Sequence, residues 1–139
     1  MPTIKIQGSD ISYDEKDVIT FPEGLIGLPD LRRMVIVRQA EIEPLMWLVS
    51  LDEQATAFVV ADTRALFPGY APAPPADSII GDDSLVVLAT VLISPQWETS
   101  TINLRAPLFI SPATMLGAQV ILADDTYSVG EPLPLAMAA

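Results

Sequence analysis

The runs Met46-Trp47-Leu48-Val49-Ser50-Leu51 and Ala57-Phe58-Val59-Val60-Ala61, with the polar Asp52-Glu53-Gln54 between them, decide the fold. Both runs are short, apolar and rich in β-branched and aromatic residues. Neither keeps a helical period. Two such runs across a polar turn read as a β-hairpin.

Outward from this hairpin the pattern repeats. Upstream, Met34-Val35-Ile36-Val37 is a β-branched strand, preceded by Val18-Ile19-Thr20-Phe21 and by Ile11 to Tyr13. At the N-terminus Ile4 and Ile6 alternate with polar neighbours, as in a half-buried strand. Downstream, Leu85 to Ile93 is the most apolar segment and reads as a central strand covered on both faces. Thr99 to Leu104, Ala106 to Ile110, Gln119 to Ala123 and Tyr127 to Val129 read as further strands. A short helical turn is expected at Pro29 to Arg32. Another is expected from Ser111-Pro112, a cap followed by proline, through Leu116. The proline-bearing stretch Leu66 to Asp77 reads as an extended loop.

About ten short strands at regular spacing predict an all-β protein. The expected form is a small closed or nearly closed β-barrel-like domain with one or two short helical turns, because closure hides strand edges. One domain is expected over residues 1–132, with a frayed tail over 133–139.

The 139 residues suit a single domain, and with half of them apolar they supply an ample core. Cysteine and histidine are both absent. Their absence excludes disulfides, thiolate metal sites, cysteine nucleophiles and every histidine-dependent triad. The N-terminus lacks the apolar run of a signal peptide, and no apolar stretch is long enough to span a bilayer. The sequence therefore reads as soluble and cytoplasmic, with no membrane partner.

The net charge of −11 is unevenly placed: residues 39–139 hold Arg64 and Arg105 against twelve acidic residues. Such a surface repels nucleic acid, whose binding needs cations. It attracts basic proteins and speeds their encounter at low salt. Acidity also serves solubility, and charge alone does not separate the two roles.

Catalytic sets are not legible. Gly24-Leu25-Ile26-Gly27 has the glycines of a phosphate loop but lacks its lysine, and reads as a turn needing positive φ. The pairs Asp52-Glu53, Asp82-Asp83 and Asp124-Asp125 sit in turns without the alternation of a calcium loop. They read as solvated turns. No cofactor and no metal are expected. A carboxylate-only enzyme or small-ligand barrel stays as the remote alternative.

One further segment is distinctive: Thr101-Ile102-Asn103-Leu104-Arg105-Ala106-Pro107, followed by Gly117-Ala118-Gln119. With Phe21-Pro22-Glu23-Gly24-Leu25-Ile26-Gly27-Leu28, the hairpin above and Leu66-Phe67-Pro68-Gly69-Tyr70, it resembles the flagellar assembly factor FliW family. The likeness is ordered along residues 18 to 132, although Leu28 and Ser111 stand where the family favours Phe and Asn. It implies a non-enzymatic regulator with a β-barrel-like fold. Such a protein binds the RNA-binding translational repressor CsrA, relieves repression of flagellin mRNA, and binds flagellin in competition. A monomer is expected when free.

The residues expected to touch a partner are the acidic Glu41, Glu43, Asp82, Asp83, Asp124 and Asp125, with Tyr70 and Trp97 as aromatic anchors. For both aromatics a structural role at a barrel end is the competing reading. Phe21, Gly24, Gly27, Asn103, Pro107 and Gln119 carry the likeness and are assigned to architecture.

Overall fold

The central hairpin forms as read. Met46–Ser50 (β5) pairs antiparallel with Ala57–Asp62 (β6), placing Leu48 opposite Phe58 and Met46 opposite Val60. The computed structural model describes residues 2–6, 8–53, 56–73, 85–124 and 126–134. Around the hairpin lie Thr3–Ile6 (β1), Ser9–Ser12 (β2), Ile19–Thr20 (β3), Arg33–Val37 (β4) and Val86–Leu92 (β7). Thr101–Ile102 (β8), Leu108–Ser111 (β9), Leu116–Gln119 (β10) and Glu131–Pro132 (β11) follow. The helical content described is one short helix, Thr63–Leu66 (α1), and single 3-10 turns at Glu15–Asp17, Ala40–Ile42 and Trp97–Thr99.

Seven strands close a barrel in the order β7-β6-β5-β4-β3-β10-β9, and β9 returns to β7. Closure depends on β7 serving two neighbours along one edge. Its Val86–Leu88 half pairs with β9, and its Val91–Leu92 half pairs with β8, which carries β11 beyond it. The described ladders are antiparallel except at Leu116 and Thr20, where β10 meets β3 in parallel.

Strand alternation sorts the apolar residues into an interior and two outer layers. Met34, Met46, Leu48, Val60, Leu88, Leu108 and Ile110 point inward with Phe21. The outward Val35, Val37 and Val49 are covered by Ile4, Ile6 and Ile11 of the β1–β2 hairpin. The outward Ala61, Ala89 and Val91 are covered by Tyr70, Leu104, Leu122 and Tyr127. Hence β6 and β7 are covered on both faces, which is why Leu85 to Ile93 shows no alternation. Each large side chain fully buried in these layers contributes about 1.5–3 kcal/mol.

The loop from Phe21 to Leu31 closes one end of the barrel by inserting Leu25 and Leu31 into the interior cluster. Gly24 makes this possible. Its φ is 70°, and a Cβ there would lie 2.5 Å from the Pro29 carbonyl oxygen.

Several local expectations are corrected. No helix follows Ser111-Pro112. Ser111 ends β9, residues 112–115 turn, and the chain enters β10 at Leu116. The Ser111 hydroxyl does accept the Thr114 N–H at 3.4 Å, but Met115 turns to a φ of 56° and ends any helical path. Pro29 to Arg32 is not a helix: residues 29 and 30 turn, with the Leu31 N–H on the Leu28 carbonyl, and residues 31 and 32 lead irregularly into β4. The last described strand is β11, not Tyr127 to Val129. The expected loop from Leu66 begins on the last residue of α1, and its part from 74 to 77 lies outside the described residues.

Candidate functional site

The motif residues come together at the closed end of the barrel. Gln119, the last residue of β10, accepts the Ile26 N–H at 2.9 Å and donates to the Ala106 carbonyl at 3.2 Å. One side chain therefore ties the Phe21–Leu28 turn to the corner before β9. At that corner the Asn103 side-chain oxygen accepts the N–H groups of Arg105 and Ala106 at 3.0 and 3.2 Å. This is the local role that suits an asparagine at a bend. Pro107 is buried in the same corner, and its carbonyl accepts the Val120 N–H. Phe21 is fully buried against Gly117, where a Cβ would sit 2.7 Å from the ring. Gly27 also has positive φ, 76°, but faces open space.

The residues expected to touch a partner divide. Glu41 and Glu43 are exposed on the β4–β5 loop, either side of Ile42, which packs on the outer layer beneath. Asp124 is exposed beside Leu122 of that same layer, so two acidic loops border one apolar cluster. The Asp124 carboxylate accepts the hydroxyl and N–H of Thr126 at 2.7 and 2.9 Å, and these bonds hold its pKa below the usual range. Asp82, Asp83 and Asp125 lie outside the described residues. Trp97 opens the 3-10 turn before β8.

Tyr70 is a correction to the anchor reading. It is buried, its hydroxyl donates to the Leu104 carbonyl, and its ring meets Tyr127 edge-on at 4.9 Å. Burial, with the neighbouring Tyr127, pushes the phenol well above its ordinary pKa. The residue follows Pro68-Gly69 in a loop, which suggested exposure. What decided otherwise is the tertiary cover over β6 and β7.

Two features escaped the sequence reading. First, Asp52, read as a solvated turn acid, accepts the N–H groups of Arg32 and Arg33 at 2.9 and 2.7 Å and the Arg33 Nε at 3.3 Å. Partial burial alone would raise its pKa. The two N–H bonds and the guanidinium outweigh that and lower it. Second, Ile26, Leu28, Leu92, Ile93 and Ile121 are exposed apolar side chains. Ile26 is held by Gln119, and Ile121 follows two residues beyond it, past the end of β10. Leu92 ends β7 on the closed side of the barrel, and Ile93 follows it. Their place inside apolar strand runs concealed their exposure, because a run names a strand and not where it outreaches its neighbours.

Among the described residues no group of His, Cys, Asp and Glu is placed to hold a metal ion, and no helix is long and apolar enough to cross a membrane.

A family model described as FliW protein matches residues 5–133. The flagellar assembly factor FliW 2 of Desulfotalea psychrophila is 37% identical, over 96% of this chain and 91% of its own length. The flagellar assembly factor FliW of Syntrophotalea carbinolica is 33% identical, over 95% of this chain and 97% of its own. A crystal structure of the flagellar assembly factor FliW superposes with a TM-score of 0.82 at 27% identity, covering 94% of each chain.

Proposed function

The chain belongs to the FliW family of flagellar assembly factors, and on that premise we propose that it acts in flagellum assembly by binding two proteins, without catalysis. One is the translational repressor CsrA, whose block on flagellin mRNA it relieves. The other is flagellin, which competes with CsrA for it. It does so as a cytoplasmic protein, monomeric when free, without touching nucleic acid or membrane.

The observation that carries this reading is the charge. Residues 39–139 hold twelve acids against two bases, and Glu41, Glu43 and Asp124 present theirs to solvent on loops bordering one apolar cluster. That arrangement suits a basic, RNA-binding protein and speeds its approach. The exposed apolar side chains at the closed end favour a second reading, a flagellin chaperone without CsrA contact.

Co-purification from cells that express tagged protein separates the two. Recovery of both CsrA and flagellin supports the first. Flagellin recovered with CsrA never present supports the second. Recovery of neither removes both.

A further inference from the structure

At the barrel end opposite the Phe21–Leu31 loop, β4 outruns its neighbour. β3 pairs with Arg33 and Met34 only, because the chain enters it at Ile19 straight from the 3-10 turn at Glu15–Asp17. The Leu51 N–H bonds the Arg33 carbonyl, so Arg33, Val35 and Val37 direct their backbone groups toward β5. Alternation then turns the N–H and C=O of Ile36 and Arg38 the other way, to an edge that has no strand partner among the described residues.

Beside this edge lies a groove of about 560 Å³, running from the open mouth of the barrel between β4 and the turn at 112–115. Its floor is apolar, made by Ile19, Ile36, Met46, Leu88, Ile110 and Met115. Asp17 and Asp62 stand on its rim with Arg38. The flanking segments add Asp14, Glu15, Glu41 and Glu43 against Lys16 and Arg64, which pair with Asp14 and Asp62, so acids still outnumber bases there. Met115 forms part of the wall with a φ of 56°, and it is the one described non-glycine residue with positive φ. A glycine would adopt that turn freely. Strain of this kind persists where the side chain is needed, and here the side chain packs on the interior cluster and lines the groove.

We propose that this groove is a docking site for an extended segment of a basic protein. The segment adds as a strand along Ile36 of β4 and the Arg38 that follows it, the edge without a strand partner among the described residues, seats an apolar side chain on the floor, and sets flanking lysines or arginines against the acidic rim. Main-chain bonds supply affinity and the pocket supplies selectivity, as in strand addition generally. The site is separate from the closed end, and it shares only Glu41 and Glu43 with the acidic loops proposed to meet CsrA.

The test uses the full chain and a synthetic peptide, Ser-Lys-Val-Ile-Val-Lys-Ser, followed by amide hydrogen exchange in NMR. Saturating peptide should slow exchange at Ile36 and Arg38 by about tenfold or more, with little change at Val35 and Val37, which already face β5. Asp17→Lys should weaken the peptide several-fold. Met115→Gly, which relieves the backbone while removing the wall, should weaken it about tenfold while the fold persists. Peptide binding without protection at Ile36 and Arg38, protection that needs no peptide and grows with protein concentration, or no binding at all would each overturn the proposal.

Discussion

Gln119 accepts the N–H of Ile26 at 2.9 Å across 93 residues of chain, and the same side chain donates to Ala106. Its amide thus joins a turn near the start of the barrel to the corner that feeds β9. Gln119→Leu keeps the bulk but leaves the carbonyl of Ala106, a buried residue, without this donor. The variant should lose about 1–2 kcal/mol of stability in urea unfolding. A loss confined to a few tenths would show that water replaces the bridge.

The two positive-φ glycines of this turn should behave differently. Gly27 faces open space, so Gly27→Ala should cost only the left-handed backbone penalty, about 1–2 kcal/mol. Gly24 has carbonyl oxygens of Leu28 and Pro29 within 2.6 Å of a new Cβ. Gly24→Ala should therefore cost the same penalty plus about 1–3 kcal/mol of overpacking. Thermal unfolding of the two variants side by side measures the difference.

Asp52 gives a pH dependence with a definite sign. Its folded pKa lies below the ordinary 3.8, so the unfolded chain binds the proton more readily. Its stabilisation is fully present above the unfolded value and fades as pH falls through the depressed one. Wild type should exceed Asp52→Asn in stability at pH 7, and the gap should close below about pH 4. A gap that stays constant down to pH 2 would remove the carboxylate from the account.

Tyr70 shows the opposite window. Burial raises its phenol above the ordinary 10.0, so its contribution is complete below pH 10 and is lost as pH rises beyond it. Tyr70→Phe should cost about 1 kcal/mol near neutral pH through loss of the bond to Leu104. In a spectrophotometric titration it should also delete a phenol that ionises above the ordinary range.

Much of the fold was legible, for local reasons. The β4–β5–β6 meander follows from short β-branched runs and polar turns, and the double covering of β7 from its unbroken apolarity. Asn103 and the glycines were readable because their conformations leave few other residues possible. What failed was set at long range. Ser111-Pro112 carries a helix start, yet pairing of Leu116 with both Ser111 and Thr20 draws the chain back into the sheet. Tyr70 looked like a loop aromatic because the residues that bury it, Leu104 and Tyr127, are distant in sequence. The open edge of β4 depends on β3 beginning only at Ile19, which no pattern within β4 could announce.

We propose that this acidic barrel works by exchanging protein partners. Isothermal titration of the purified protein with CsrA from the same organism, alone and then with flagellin already bound, tests it most directly. The expected result is binding to each partner, suppression of CsrA binding by flagellin, and affinity for CsrA that falls as salt screens the acidic loops within ~8–10 Å. No heat of binding to either partner at low or physiological salt would contradict it.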